Sequence, residues 1–153
     1  ISIIYIAIYS ENCYIKGIKY LIKYHMKGFV INLEKETLDN TDYRRVLYTA
    51  KNSQLVLMSI APGDEIGSEV HELDQFIRVE AGKGKAIMDG IEHELEDGSA
   101  IVIPAGMEHN VVNIGDDNLK LYSVYAPPEH KDKTIHIKKS DEQEEHFDGK
   151  TTE

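Results

Sequence analysis

From Phe29 to Tyr125 the chain is a succession of short apolar runs, each four to eight residues long and each stopped by a turn signal. That spacing predicts an all-β sandwich or barrel. FVINL (29–33) reads as a first strand and RRVLYT (44–49) as a second. Ala50-Lys51-Asn52 then turns the chain into LVLMSIA (55–61), which ends at Pro62-Gly63. QFIRVEA (75–81) stops at Gly82-Lys83-Gly84 and KAIMD follows. Asp89-Gly90 is a two-residue hairpin signal leading into IEHEL. AIVIP, HNVVNI and LKLYSVY complete the series, which closes before Pro127-Pro128. No stretch in this region shows a helical period. One helix is expected near the end, where Ser140 caps DEQEEHF with Gln143 at the capping-box position. TIHIK (134–138) reads as an added edge strand, and GKTTE (149–153) as a loose end.

The ends differ from this middle. Ile and Tyr supply 13 of the first 25 residues, including five of the nine tyrosines, and Met26 opens a segment, MKGFVINL, that reads as an ordinary start. Residues 1–25 are therefore expected to be an extension outside the core. The alternative is an extra strand or dimer arm, since YIAIY is a good strand former. The longest apolar run there, Ile3 to Tyr9, is too short to cross a bilayer, and no signal-peptide pattern is present. The division read from the sequence is an extension over 1–25, a barrel over 26–130 and a charged tail over 131–153.

Charge narrows the partners. The chain carries 17 basic and 27 acidic residues for a formal net charge of -10, so neither nucleic acid nor an anionic membrane surface is an expected partner. A single cysteine, Cys13, leaves no internal disulfide and no multi-cysteine zinc site. That fits a reducing compartment, and a cytoplasmic location is expected.

The chemistry concentrates in two segments. In the first, Glu69 and His71 are two apart and share a face of an extended chain. Gln75 has the parity of Ile77, Val79 and Ala81, an apolar inward set, so its amide needs a buried partner. A metal would satisfy Glu69, His71 and Gln75 together. In the second, His109 shares parity with Val111 and Asn113, and a hairpin-rich stretch between the two segments can bring it opposite His71.

These segments resemble the two signature motifs of the cupin superfamily. The first runs Gly63, five residues, Glu69-Val70-His71, three residues, Gln75, six residues, Gly82. The second runs Gly98, five residues, Pro104-Ala105-Gly106, two residues, His109, three residues, Asn113, and it matches the family pattern at every defined position. The first departs from it: the family holds its metal with three His and one Glu, whereas here Glu69 stands at the first His position and Gln75 at the Glu position. The resemblance implies a small cupin β-barrel of jelly-roll type, with a short helical or irregular C-terminal tail. It also implies one divalent metal held by Glu69, His71, Gln75 and His109, and a homodimer. Two imidazole nitrogens with carboxylate and amide oxygens suit Mn or Fe(II), with Zn or Ni also compatible.

For Glu69 the competing reading is a loop carboxylate facing water beside Glu65, and for Gln75 a plain buried hydrogen bond. Glu69, if not bound, is the candidate general base and hence the candidate catalytic residue. His93 reads as structural or at the rim, and His130 as a surface tail residue that could also fold over the barrel mouth. Tyr122 and Tyr125 have opposite parity, so at most one faces inward. Ser, Cys and His form no nucleophile pattern. The leading expectation is a metal-dependent enzyme on a small molecule, of oxygenase (oxidoreductase) or lyase/isomerase type. The alternatives are a non-enzymatic module that binds or senses a small ligand, and a barrel whose polar cluster holds no metal.

Overall fold

The computed structural model describes residues 28–143 and 145–153, with the backbone of two short paired strands, β1 (Tyr14–Ile15) and β2 (Ile18–Lys19). Apart from those backbone positions, the reading of residues 1–25 as an extension lies outside the described residues.

The core is all-β, as expected. Its strands are β3 (Arg44–Thr49), β4 (Gln54–Ile60), β5 (Glu69–Val70), β6 (Asp74–Ala81), β7 (Gly84–Met88) and β8 (Ile91–Leu95), followed by β9 (Ala100–Ile103), β10 (Glu108–Asn113), β11 (Leu119–Ala126) and β12 (Ile135–His136). They form two antiparallel sheets, one of order β12-β3-β4-β11-β6-β9 and one of order β5-β10-β7-β8. β12 is the edge strand read from TIHIK, pairing with β3. The β7–β8 hairpin turns at Asp89 and Gly90, both with positive φ (46° and 79°), the backbone that a two-residue turn of matching twist requires.

Period-two alternation sorts each strand into an inward and an outward set. Gln75, Ile77 and Val79 of β6 are buried, as are Leu119, Leu121, Ser123 and Tyr125 of β11 and His109, Val111 and Asn113 of β10. Val56, Ile77 and Leu121 from the larger sheet meet Ala86 and Val111 from the smaller in one core. The β11 register pairs Leu119 with Ile60 and Leu121 with Val79 toward one end, and Tyr125 with Gln75 toward the other. Aliphatic packing thus fills one end of the barrel and a polar layer occupies the opposite end. At the aliphatic end Gly82 (φ +93°) passes against the neighbouring chain. A Cβ there would stand 2.9 Å from both the Asn118 carbonyl oxygen and Leu119 Cα, which accounts for glycine at the close of the first motif.

Three expectations are corrected. FVINL is not a strand: residues 28–32 have no regular structure, and Leu33 begins a helix, α1 (Leu33–Asp39). Asn32 caps it, its side-chain oxygen accepting from the Lys35 N–H at 3.2 Å, and Glu34 and Glu36 suit the positive end of the first turn. Seven residues are too few to print a helical period. The helix expected over DEQEEHF does not form. A 3-10 turn, Lys139–Asp141, ends at Glu142, whose ψ of 128° leaves the helical range, and the stretch around Glu145–Phe147 instead hydrogen-bonds to Glu129 and Lys131. GKTTE is also not loose. The Thr152 N–H donates to the Thr49 carbonyl at 2.9 Å, and the Thr49 N–H donates to the Thr152 hydroxyl at 2.8 Å. No helix among the described residues is long and apolar enough to cross a membrane.

Candidate metal centre

The sheet register assembles the polar layer. Glu69 of β5 is the direct cross-strand partner of His109 of β10, so the two motifs meet as neighbouring strands of the smaller sheet. His71 follows β5 on the same face. The Pro104-Ala105-Gly106 turn of the second motif anchors the first motif's loop: the Gly106 N–H donates to the His71 carbonyl at 2.8 Å and the Ala105 N–H to Asp74 Oδ1 at 3.1 Å. Gln75 reaches the cluster from β6 in the facing sheet. One donor atom from each of Glu69, His71 and His109 lies within 4.8 Å of the others, a group that could hold a metal ion.

Three side chains of the cluster each have a buried atom without a hydrogen-bond partner among the described residues, His71 Nδ1, Gln75 Oε1 and His109 Nε2. His109 is 1% exposed, and its Nδ1 lies 3.0 Å from the Met107 carbonyl, which can only accept, so the proton sits on Nδ1. That leaves the Nε2 lone pair buried and without a partner among the described residues. Gln75 is 2% exposed. Its Nε2 donates to the Ser123 hydroxyl at 2.9 Å, while its Oε1 is buried with no partner among the described residues. Orphaned buried acceptors of this kind are costly and call for a missing partner. His71 Nε2 lies 3.4 Å from Glu69 Oε2. Burial, the largest influence, holds the His71 imidazole below its ordinary pKa, which favours the neutral form that ligates.

Glu69 does not simply face water beside Glu65. Its carboxylate sits between His71 and Arg44, 3.8 Å from Arg44 Nη2, and Glu65 accepts from the Asn110 amide at 2.8 Å. Of the two tyrosines, Tyr125 is the inward one, with its ring 5.7 Å from that of His71. Burial keeps its phenol protonated far above the usual range. His93 is exposed on β8.

His130 is not a surface tail residue. The Gln54 amide clamps it, accepting from the His130 N–H at 2.9 Å and donating to its carbonyl at 2.6 Å. The ring packs 5.1 Å from Tyr125, and burial with Arg44 nearby drives its pKa down to about 2. Arg44 carries no motif that marks it as a site residue, although it shares the inward parity of Val46 on β3. It is 4% exposed and bonds Glu142 Oε1 through Nη1 at 2.5 Å. Arg44, Glu69, His71, Glu129, His130 and Glu142 line a cavity of about 510 Å³ at this end of the barrel.

The family model for the Cupin domain matches residues 56–125, a span that contains all four candidate ligands. An uncharacterized Bacillus subtilis protein, YrkC, is 44% identical over 125 residues, covering 77% of this chain and 67% of its own length. A crystal structure from Bacillus halodurans superposes with a TM-score of 0.74 at 47% identity, covering 75% of this chain and 92% of that one. An RmlC-like cupin from Shewanella frigidimarina shares the fold, with a TM-score of 0.51 at 21% identity over 55% of this chain and 74% of its own. With two antiparallel sheets, both motifs in register and these likenesses, the chain belongs to the cupin superfamily.

Proposed function

We propose that this cupin is a metal-dependent enzyme acting on a small molecule, with Glu69, His71, Gln75 and His109 holding one divalent ion. The observation that carries the reading is the pair of buried acceptors without partners, His109 Nε2 and Gln75 Oε1, converging on Glu69 and His71 from two different sheets. A bound Mn(II) or Fe(II) would supply Lewis-acid or dioxygen chemistry, of lyase/isomerase or oxygenase type, and the donor set also accepts Zn or Ni.

The chain's own groups have separate tasks. Glu69, the most accessible of the four with its side chain 25% exposed, would take a proton from a substrate in the cavity when it is released from the ion. Tyr125 and His130, both held neutral, close the wall behind His71 without adding charge. Ser123 holds the Gln75 amide so that its oxygen, not its nitrogen, faces the cluster.

Elemental analysis of protein purified without chelator should find one equivalent of divalent metal. Turnover of a panel of diketones, thiols and enolisable acids should disappear when that metal is stripped and return when it is restored. Dioxygen consumption separates the oxygenase from the lyase or isomerase. Activity that survives complete metal removal refutes the mechanism, and binding without turnover assigns a ligand-binding module instead. Gln75→Ala should weaken metal binding about tenfold without abolishing it, because a neutral amide oxygen is the poorest donor of the four and about 1.4 kcal/mol is at stake.

We further propose a homodimer, supported by large apolar side chains on the outside of the barrel. Val102 of β9 is 65% exposed, Ile91 of β8 62% and Val70 of β5 59%, and all three strands lie at sheet edges. Light scattering at micromolar concentration should give twice the chain mass, and a monomer would exclude the assembly.

A further inference from the structure

Arg44 stands on the wall of the cavity that holds Glu69, His71 and His130, with its side chain 4% exposed. A guanidinium offers five N–H donors in a planar fork that matches the two oxygens of a carboxylate. Here the fork is incompletely used. Nη1 bonds one oxygen of Glu142 at 2.5 Å, Nη2 is 3.8 Å from Glu69, and Nε is buried with no partner among the described residues. A cation this deep needs an anion beside it. The tail supplies one: Glu142 follows the 3-10 turn Lys139–Asp141, pairs with no strand, and keeps its side chain 26% exposed at the rim.

We propose that Arg44 is the specificity-determining residue of this cavity and binds the carboxylate of a small organic acid, with Glu142 as a resident carboxylate that the ligand displaces. The assignment rests on the cavity being the substrate site. Exchange of one carboxylate for another conserves the charge around Arg44, returns Glu142 to water and lets a second oxygen reach Nη2, which stands 3.8 Å from Glu69. A neutral analogue of the same shape gains none of this, since displacing Glu142 would leave the guanidinium with only the 3.8 Å contact to Glu69. The other rim carboxylates favour a single negative charge on the ligand. Glu145 is paired with Lys131 at 3.1 Å, Glu129 lies 2.8 Å from His146 Nδ1 and Glu72 also lines the cavity, so a second ligand carboxylate would meet acidic groups with no spare cation.

Calorimetric titration of the full chain with butyrate and with its neutral amide, butyramide, tests this, with metal content measured on the same samples. Wild type should bind butyrate in preference to butyramide. Glu142→Gln, which removes the competing charge from a half-buried rim position, should tighten butyrate on the order of tenfold and butyramide by clearly less. Arg44→Gln should erase the preference, and Glu142→Gln alone decides the matter if that buried substitution does not fold. Equal binding of acid and amide, an unchanged butyrate affinity in Glu142→Gln, or no butyrate binding by either protein each overturns the assignment. A chain that shows the expected pattern without metal refutes the metal reading and keeps Arg44. A metal-loaded chain that lacks the pattern does the reverse.

Discussion

His109→Ala should leave the protein folded and without metal. The side chain is 1% exposed, its Nδ1 proton is committed to the Met107 carbonyl, and its Nε2 lone pair has no partner among the described residues. Removing it takes one of two imidazoles from a set whose remaining members are Glu69, His71 and the weak amide of Gln75. Losing one good ligand should lower affinity by on the order of a hundredfold or more, about 3 kcal/mol, enough to empty the site during purification. The fold should tolerate the change at a cost of about 2 kcal/mol for the cavity, since the lost ring makes only one hydrogen bond. Elemental analysis of wild type and variant, alongside circular dichroism, checks both halves. Equal metal in the two proteins would remove His109 from the ligand set.

Asn113→Ala should do the opposite, destabilising the barrel while leaving the ligands in place. Asn113 closes the second motif, four residues beyond His109, but it lies at the other end of the strand from the cluster and is 1% exposed. Its amide nitrogen donates to the Ile60 carbonyl at 2.8 Å and to the Asp117 carbonyl at 2.9 Å, and its oxygen accepts from the Gly115 N–H at 2.9 Å. One side chain therefore pins the β10–β11 turn to the end of β4. Alanine leaves three backbone groups unsatisfied or newly hydrated, and a loss of about 3 kcal/mol or more is expected. Asn113→Asp should be comparably damaging, because it deletes both donors and buries a charge. A thermal midpoint within error of wild type would show that water replaces the amide at little cost. Metal per folded chain should stay near one equivalent, which separates this role from that of His109.

Much of this was legible in the residues, and unevenly so. Strands β3, β4 and β6 to β11 were readable because inward and outward residues alternate and turn residues interrupt them. α1 was not, since its signal is a cap and two acidic residues over only seven positions. The meeting of Glu69, His71 and His109 was readable from two spacings, but the places of Arg44 and His130 were not. Arg44 lies 25 residues before Glu69 in a strand of ordinary composition, and His130 sits in a tail whose sequence reads as exposed. What buries them is the Gln54 clamp on the His130 backbone and the Glu142 contact to Arg44, each joining residues more than 70 apart in the chain.

The sequence by itself determined the alternation that makes the strands, the turns that join them, and two motifs whose parity points their polar residues inward. Those are local properties, set by side-chain direction and turn chemistry within a few residues. Tertiary structure alone decided which atoms are left without partners and what surrounds them. It paired Glu69 with His109, aimed the Gln75 oxygen by tying its nitrogen to Ser123, and folded the acidic tail onto Arg44. Burial and hydrogen-bond satisfaction depend on neighbours distant in the chain, and no local pattern encodes them.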